Sequence, residues 1–387
     1  MAILIDRRRF VAAGIATAAS LGFAPRMAFA KGETDKRFVF IIQRGAADGL
    51  GTLAPVGDPA FAALRGALAE DFASAPRLDS TFALHPNLAT TAGLYKQGQA
   101  LFAHAIASPY RDRSHFDGQN VLETGGTSAY QVKDGWMNRL LGVLPATEAR
   151  AIAVAATVPM ALRGPREVAS YAPSSLPDAS EDLMRRVAML YEGDAQLHGL
   201  WTEAMSTRML TGDLADDGGR NGAATGALAA KLFAPADGAR VAMIETGGWD
   251  THSAQRGRLA AQLKGLDAMV GALRDGLGPV WDDTLILVAT EFGRTAAVNG
   301  TGGTDHGTGA AAMLIGGGVK GGRVLADWPG LGQAALYEGR DVKPTMALDG
   351  FIAGAVSGHF GVEPGRVAGA LFPQVAGTKP VAGLIRV

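Results

Sequence analysis

Thr284-Leu285-Ile286-Leu287-Val288-Ala289-Thr290-Glu291-Phe292-Gly293-Arg294 is followed a short loop later by Gly303-Thr304-Asp305-His306-Gly307-Thr308-Gly309. An uninterrupted apolar run too short for an ordinary helix reads as a strand buried on both faces. This one ends in a carboxylate, and a glycine-flanked Asp-His pair follows. Upstream, Val241-Ala242-Met243-Ile244-Glu245-Thr246-Gly247-Gly248-Trp249-Asp250-Thr251-His252 repeats the arrangement. Two separate strands therefore deliver Asp, Glu or His at one end. In an α/β sheet, the carboxyl ends of strands are where ligands bind. Histidines and carboxylates gathered there point to a metal site.

Working outward, apolar runs predict further strands at 37–42, 100–106, 151–155 and 311–315. Helical spacing covers 60–72, 84–98, a segment from about Ser114, 253–276 and 346–358. Residues 165–182 read as a Pro- and Ser-rich loop, and 183–233 as mostly helical, interrupted by a turn at 216–219. Strands alternating with helices predict a doubly wound, mostly parallel sheet flanked by helices. The helical stretch around 165–235 is expected to be an insertion in a single domain spanning 31–387.

The first 30 residues read as an export signal. Arg7-Arg8-Arg9 begins a twin-arginine pattern, an apolar stretch spans 11–24, and Ala28-Phe29-Ala30 is an A-x-A cleavage site. The expectation is a periplasmic or secreted protein, carried by the twin-arginine machinery, with no integral membrane segment after cleavage. Such export moves folded proteins, often with a metal already bound. The chain has no cysteine, which excludes disulfides, thiolate ligands and a Cys nucleophile. A formal net charge of −1 gives no argument for nucleic acid or an anionic membrane surface. Gly316–Gly322 lacks the order of a phosphate-binding P-loop, and no G-x-S-x-G elbow occurs.

Each candidate residue has a structural reading beside its chemical one. Asp250 and His252 can turn toward one point in an extended loop, or Asp250 or Thr251 can cap the next helix. Glu291 can ligate a metal or pair with nearby Arg294. Arg294 can instead hold an anionic substrate through its guanidinium fork. Asp305 and His306 lie where glycines let backbone approach a ligand. Ser114 and Asp117 resemble an Asp variant of a capping box. Ser114, beside Arg111 and Arg113 at a helix start, can also be a nucleophile near an anion site. Asp48 is a turn residue or a ligand. His85 reads as structural and His104 as core, while His198 and His359 have no supporting neighbours in sequence.

Arg44-Gly45-Ala46-Ala47-Asp48-Gly49-Leu50, Ser114-His115-Phe116, Gly247–His252, Glu291–Thr295 and Gly303–Gly307 together resemble the exported proteins of domain-of-unknown-function family 1501. That family is similar in turn to the alkaline phosphatase and sulfatase superfamily. The resemblance implies that Asp48, Asp250, His252, Glu291 and His306 supply metal ligands, with Asp305, from its glycine-flanked loop, and His115 as further candidates. It implies Ser114 as nucleophile, beside which Arg111, Arg113 or Arg294 are candidate anion clamps by their charge. Glu291-Phe292 stands where the superfamily has Asp-His, and His115 is the candidate to restore the lost imidazole. The implied cofactor is one or two divalent ions (Zn, Mn, Ca or Mg). The implied activity is hydrolysis of phosphate or sulfate esters of a small molecule or polysaccharide. The alternative is a non-catalytic binding or assembly protein with a structural metal or none.

Overall fold

The computed structural model describes residues 35–145, 150–171, 181–194, 197–199, 201–202, 221–236, 238–375 and 377–386. The expected signal at 1–30 and the turn at 216–219 lie outside these residues. Strands run in the order β1 (Arg37–Gln43), β2 (Leu53–Ala54), β3 (Ala83–Leu84), β4 (Ala100–Ala107), β5 (Ala151–Val154), β6 (Ala169–Ser170), β7 (Val241–Thr246), β8 (Thr284–Ala289), β9 (Ala310–Ile315), β10 (Arg323–Leu325) and β11 (Met346–Ala347). Helices are α1 (Gly49–Thr52), α2 (Phe61–Arg65), α3 (Ala89–Lys96), α4 (His115–Thr124), α5 (Trp136–Val143), α6 (Glu181–Tyr191), α7 (Gly222–Phe233), α8 (Gln255–Leu277), α9 (Leu348–Phe360) and α10 (Pro364–Leu371).

The main sheet has the order β10-β4-β9-β8-β1-β7-β5-β6, with β11 pairing to β4, while β2 and β3 form a small antiparallel ladder apart. Every pairing in the main sheet is parallel except those of β9 with β4 and β8. The doubly wound, mostly parallel sheet read from the sequence is therefore the observed one. Strand β1 shows why. Phe38, Phe40 and Ile42 pack in one layer with Trp136, Phe351 and Leu371. Val39 and Ile41 face the other layer with Phe233, Leu263 and Val270. A strand buried on both faces needs apolar residues at every position, which is the uninterrupted pattern its sequence carries.

The reversal of β9 positions the site. Because β9 runs against β8, the segment leaving β8 and the segment entering β9 lie at the same sheet edge. The carboxyl ends of β1, β4 and β7 lie there too, since these run parallel to β8 directly or through β1 and β9.

Two helices differ from the periodicity. The 60–72 segment is α2 followed by a 3-10 turn over Gly66–Phe72, with Gly66 at φ +49° at the break. The 84–98 segment begins with β3, and its helix starts only at Ala89, beyond Pro86.

Candidate metal centre

The loop after β7 is pinned first. Trp249 is buried, and its indole N–H donates to Thr246 Oγ1 at 3.0 Å. Asp250 and His252 follow directly. Neither Asp250 nor Thr251 caps α8: its N-cap is Ala254, at φ +46° and without a side-chain cap bond. After β8, Thr290 donates its hydroxyl to the Gln43 carbonyl at 2.7 Å, tying the β8 exit to the end of β1. Short bridges join Arg294 to His306 and Ser253 to Gly302. After β4, the chain crosses to Ser114 and enters α4 at His115.

Four side chains from these loops meet. His252 Nε2 lies 2.9 Å from His306 Nε2 and 2.9 Å from Asp250 Oδ1. His306 Nε2 lies 3.3 Å from the same oxygen. His115 Nε2 lies 3.4 Å from Asp250 Oδ2, where it is buried without a hydrogen-bond partner among the described residues. One ligand atom each from His115, Asp250 and His306 falls within 4.8 Å of the others. Tetrahedral zinc with bonds of about 2.0–2.1 Å would set its ligand atoms about 3.3 Å apart, close to these spacings.

The other ring nitrogens explain the orientation. His306 Nδ1 lies 3.0 Å from the Arg113 carbonyl oxygen, which can only accept, so that nitrogen carries the proton. His252 Nδ1 lies 3.0 Å from Asp305 Oδ1, and His115 Nδ1 lies 2.9 Å from Glu291 Oε1. All three Nδ1 atoms thus face oxygen acceptors, and all three Nε2 atoms face Asp250. Imidazoles that bind metal are held in this way, with one ring N–H given to a carboxylate or carbonyl and the other nitrogen presented to the ion.

The electrostatics agree. Burial lowers the His306 pKa, with the neighbouring His115 acting in the same direction, which favours the neutral ring. The hydrogen bond to Glu291 raises that of His115, against burial. Burial alone would raise the Asp250 carboxyl, but Arg294 and the adjacent histidines hold it below its ordinary value. Glu291 is 1% exposed and likewise lowered: burial opposes ionisation, while His115, Gln119 Nε2 and the Gly45 N–H favour it. Asp305 is lowered by Asn299 and then His252.

The expected ligand set therefore divides. His115, Asp250, His252 and His306 present atoms toward one point. Glu291 and Asp305 sit behind two of the imidazoles. Asp48 is elsewhere, 1% exposed, with its carboxylate on Arg65 and on Gln255 Nε2. Gln255 Oε1 accepts from Thr251 and Thr304 hydroxyls at 3.0 and 2.6 Å. Thr304 Oγ1 in turn accepts from Arg294 Nε at 3.1 Å, so a buried polar chain runs from Asp48 to the Arg294 that grips Asp250. Gln255 and Thr304 carried no signal in the sequence, since an amide and a hydroxyl at a loop–helix junction are ordinary there.

The three expected anion clamps are engaged with protein groups. Arg294 donates to Asp250 Oδ1 at 2.6 Å and to Thr304, and does not pair with Glu291 as the structural reading had it. Arg113 pairs with Asp341 at 2.8 Å and with Glu338, and holds φ +59° where its carbonyl meets His306. Arg111 donates to the carbonyls of Ser108 and Tyr110. Ser114 is the N-cap residue of α4 but makes no side-chain cap bond, so the expected capping box does not form. Its backbone N–H donates to Tyr110 Oη at 3.1 Å. Phe292, which follows Glu291 in the chain, stacks on the His115 ring at 5.1 Å and 25°.

Fold and site together define an α/β protein with a histidine–carboxylate cluster of metal-ligand geometry at the carboxyl edge of its sheet. Residues 35–348 match the family described as protein of unknown function (DUF1501), and the chain belongs to that family. No curated protein matches it. Among solved structures it is similar to the lipoteichoic acid synthase LtaP from Listeria monocytogenes, with 9% identity, a TM-score of 0.35, and 77% of this chain and 67% of that one covered. It is also similar to Ps i-CgsB in complex with k-i-k-neocarrahexaose, with 13% identity, a TM-score of 0.39, and coverage of 90% and 77%. A third is the C-terminal periplasmic domain of EcEptC from Escherichia coli in complex with Zn, with 9% identity, a TM-score of 0.33, and coverage of 73% and 74%.

Proposed function

We propose that this protein is an exported, metal-dependent hydrolase of phosphate or sulfate esters. His115, Asp250, His252 and His306 would hold the ion and Ser114 would be the nucleophile. The observation that carries the reading is the convergence of three imidazole Nε2 atoms on Asp250 while every Nδ1 faces an oxygen acceptor. Three imidazoles and a carboxylate suit zinc better than calcium or magnesium, which favour oxygen ligands. Bound there, a divalent ion would supply Lewis-acid stabilisation of charge on ester oxygens.

The chain's own residues do the rest. Glu291, Asp305 and the Arg113 carbonyl orient the imidazoles. Arg294 keeps Asp250 ionised and fixed. Ser114 directly precedes His115, and the positive end of α4 favours negative charge beside its hydroxyl. Among the described residues no helix is long and apolar enough to cross a membrane. Export through the twin-arginine route, on residues 1–30, is part of the proposal. Replacing Arg7 and Arg8 with Lys should retain the protein in the cytoplasm.

The activity test compares zinc-loaded wild type with Ser114→Ala on aryl phosphate and aryl sulfate esters. The hydrolase reading expects a loss of at least about a hundredfold in turnover with metal content and thermal midpoint unchanged. Equal turnover in both proteins would remove Ser114 from the reaction. A second reading, a metal-holding binding protein without catalysis, is favoured by the engagement of Arg111, Arg113 and Arg294 with protein groups. Metal-loaded wild type that turns over neither ester class would support it.

A further inference from the structure

Arg113 stands immediately before Ser114 and holds φ +59°, a left-handed conformation that is disfavoured for a residue with a β-carbon unless its surroundings impose it. In that conformation its carbonyl oxygen lies 3.0 Å from His306 Nδ1. The next residue, Ser114, is extended at φ −93° and ψ 125°, and the chain enters α4 at His115. One backbone turn thus meets the ring of one proposed ligand and leads into the proposed nucleophile and a second ligand.

A buried carboxylate holds this turn. Asp341 is 0% exposed, and its Oδ2 accepts from Arg113 Nε at 3.0 Å and from Thr308 Oγ1 at 2.8 Å, with Arg113 Nη2 also at 2.8 Å. Its Oδ1 lies 3.0 Å from Arg340 Nε, an ion pair whose geometry makes no hydrogen bond. Thr308 is two residues beyond His306, so Asp341 ties together the two segments that the His306–Arg113 contact joins. Arg340 grips His306 separately, with Nη2 donating to the His306 carbonyl at 2.6 Å. The turn carrying both residues is closed by backbone bonds in each direction between Tyr337 and Asp341, at 2.9 and 3.0 Å. Glu338, the other carboxylate on Arg113, is 51% exposed, and a pair so open to water constrains little.

We infer that Asp341 is a positioning residue for the metal centre: through the Arg113 guanidinium it holds the backbone turn whose carbonyl fixes His306 in its Nδ1–H tautomer, leaving Nε2 for an ion. The effect on metal binding rests on the metal reading, whereas the tautomer does not. A merely structural Asp341 would lower stability without moving that proton.

The test is histidine-resolved NMR of the folded protein with isotope-labelled histidine, metal-free and then titrated with zinc. Wild type, Asp341→Ala, Arg113→Gly and the double variant are compared. Asp267→Ala is the stability control, because that buried carboxylate bonds the N–H groups of Thr90 and Thr91 and no residue of the cluster. Asp341→Ala should shift His306 toward the Nε2–H tautomer and weaken zinc about tenfold or more. Glycine takes the left-handed conformation without a β-carbon clash. The double variant should therefore recover part of the Nδ1–H signal and about threefold or more of the zinc affinity lost in Asp341→Ala, a departure from additivity. Asp267→Ala should lower the thermal midpoint and change neither readout. If Asp341→Ala does not fold, Asp341→Asn, which keeps the shape without the charge, is read in the same way. An unchanged His306 tautomer in the folded variant, or losses that simply add in the double variant, would overturn the inference. A tautomer that depends on Asp341 in a wild type that takes up no zinc would uphold the inference for His306 and sink the metal reading alone.

Discussion

The Nε2 atoms of His252 and His306 stand 2.9 Å apart, with Asp250 Oδ1 within 3.3 Å of both. An ionised carboxylate only accepts, and the Nδ1 of each ring already faces an oxygen. Electron pairs thus crowd one point, and either a proton on an Nε2 or a metal ion relieves the crowding. Proton and metal compete for the same atoms, so metal uptake should release protons.

Glu291→Gln tests the support behind His115. The amide keeps the shape but removes the charge that favours the Nδ1–H tautomer. Losing such a partner typically lowers metal affinity about 10–100-fold. Zinc competition against a chromophoric chelator should show that drop. Unchanged affinity would mean that Glu291 has no part in orienting the ligand.

Asp48 separates a structural role from a ligand role. Asp48→Ala leaves Arg65 buried, at 1% exposure, without its carboxylate. Breaking such a pair costs about 3–5 kcal/mol, which chemical denaturation should register. Adding Arg65→Met should recover much of the loss. Zinc stoichiometry in the folded variants should be unchanged, and loss of zinc at full stability would make Asp48 a ligand.

Gly303 is fixed by space. A Cβ there would lie 2.3 Å from the His252 carbonyl carbon and oxygen. That carbonyl also accepts from Asn299 Nδ2 at 2.9 Å and from Thr301 Oγ1 at 2.6 Å. Gly303→Ala must therefore displace the His252 segment. We expect at least tenfold weaker zinc binding and a lower thermal midpoint, and a variant matching wild type in both would contradict the geometry.

Acid sensitivity should come partly from histidines remote from the site. Burial lowers His104 to about 4 and His359 to about 3. Between these values and the ordinary one near 6.5, the unfolded chain binds more protons than the folded one. Their contribution is therefore intact near neutral pH and is lost as pH falls below about 6.5, by up to about 1.4 kcal/mol per pH unit for each ring. The metal-free protein's denaturation midpoint, followed from pH 7 to 5, should fall, and His359→Gln should flatten the slope. Equal slopes in the two proteins would rule His359 out as a source.

The sheet was legible because β1, β7 and β8 are buried on both faces and so carry unbroken apolar runs. The antiparallel course of β9 was not legible, since an apolar run has no direction until its neighbours are known. Asp250, His252 and His306 stood out because glycines and strand ends frame them. The division between atoms that face the cluster centre and carboxylates behind them was hidden, because sequence shows that Glu291 and Asp305 are near the site but not which ring nitrogen each one meets. Arg294 was ambiguous for the same reason: its neighbour in sequence is Glu291, whereas the fold places it on Asp250.

The most direct test of the metal centre is a zinc titration of chelator-stripped wild type beside His252→Ala/His306→Ala, with circular dichroism to confirm that both are folded. The account predicts stoichiometric, high-affinity uptake with proton release in wild type and none in the double variant. Wild type that takes up no metal after reconstitution, or a folded double variant that binds it equally well, would contradict the account.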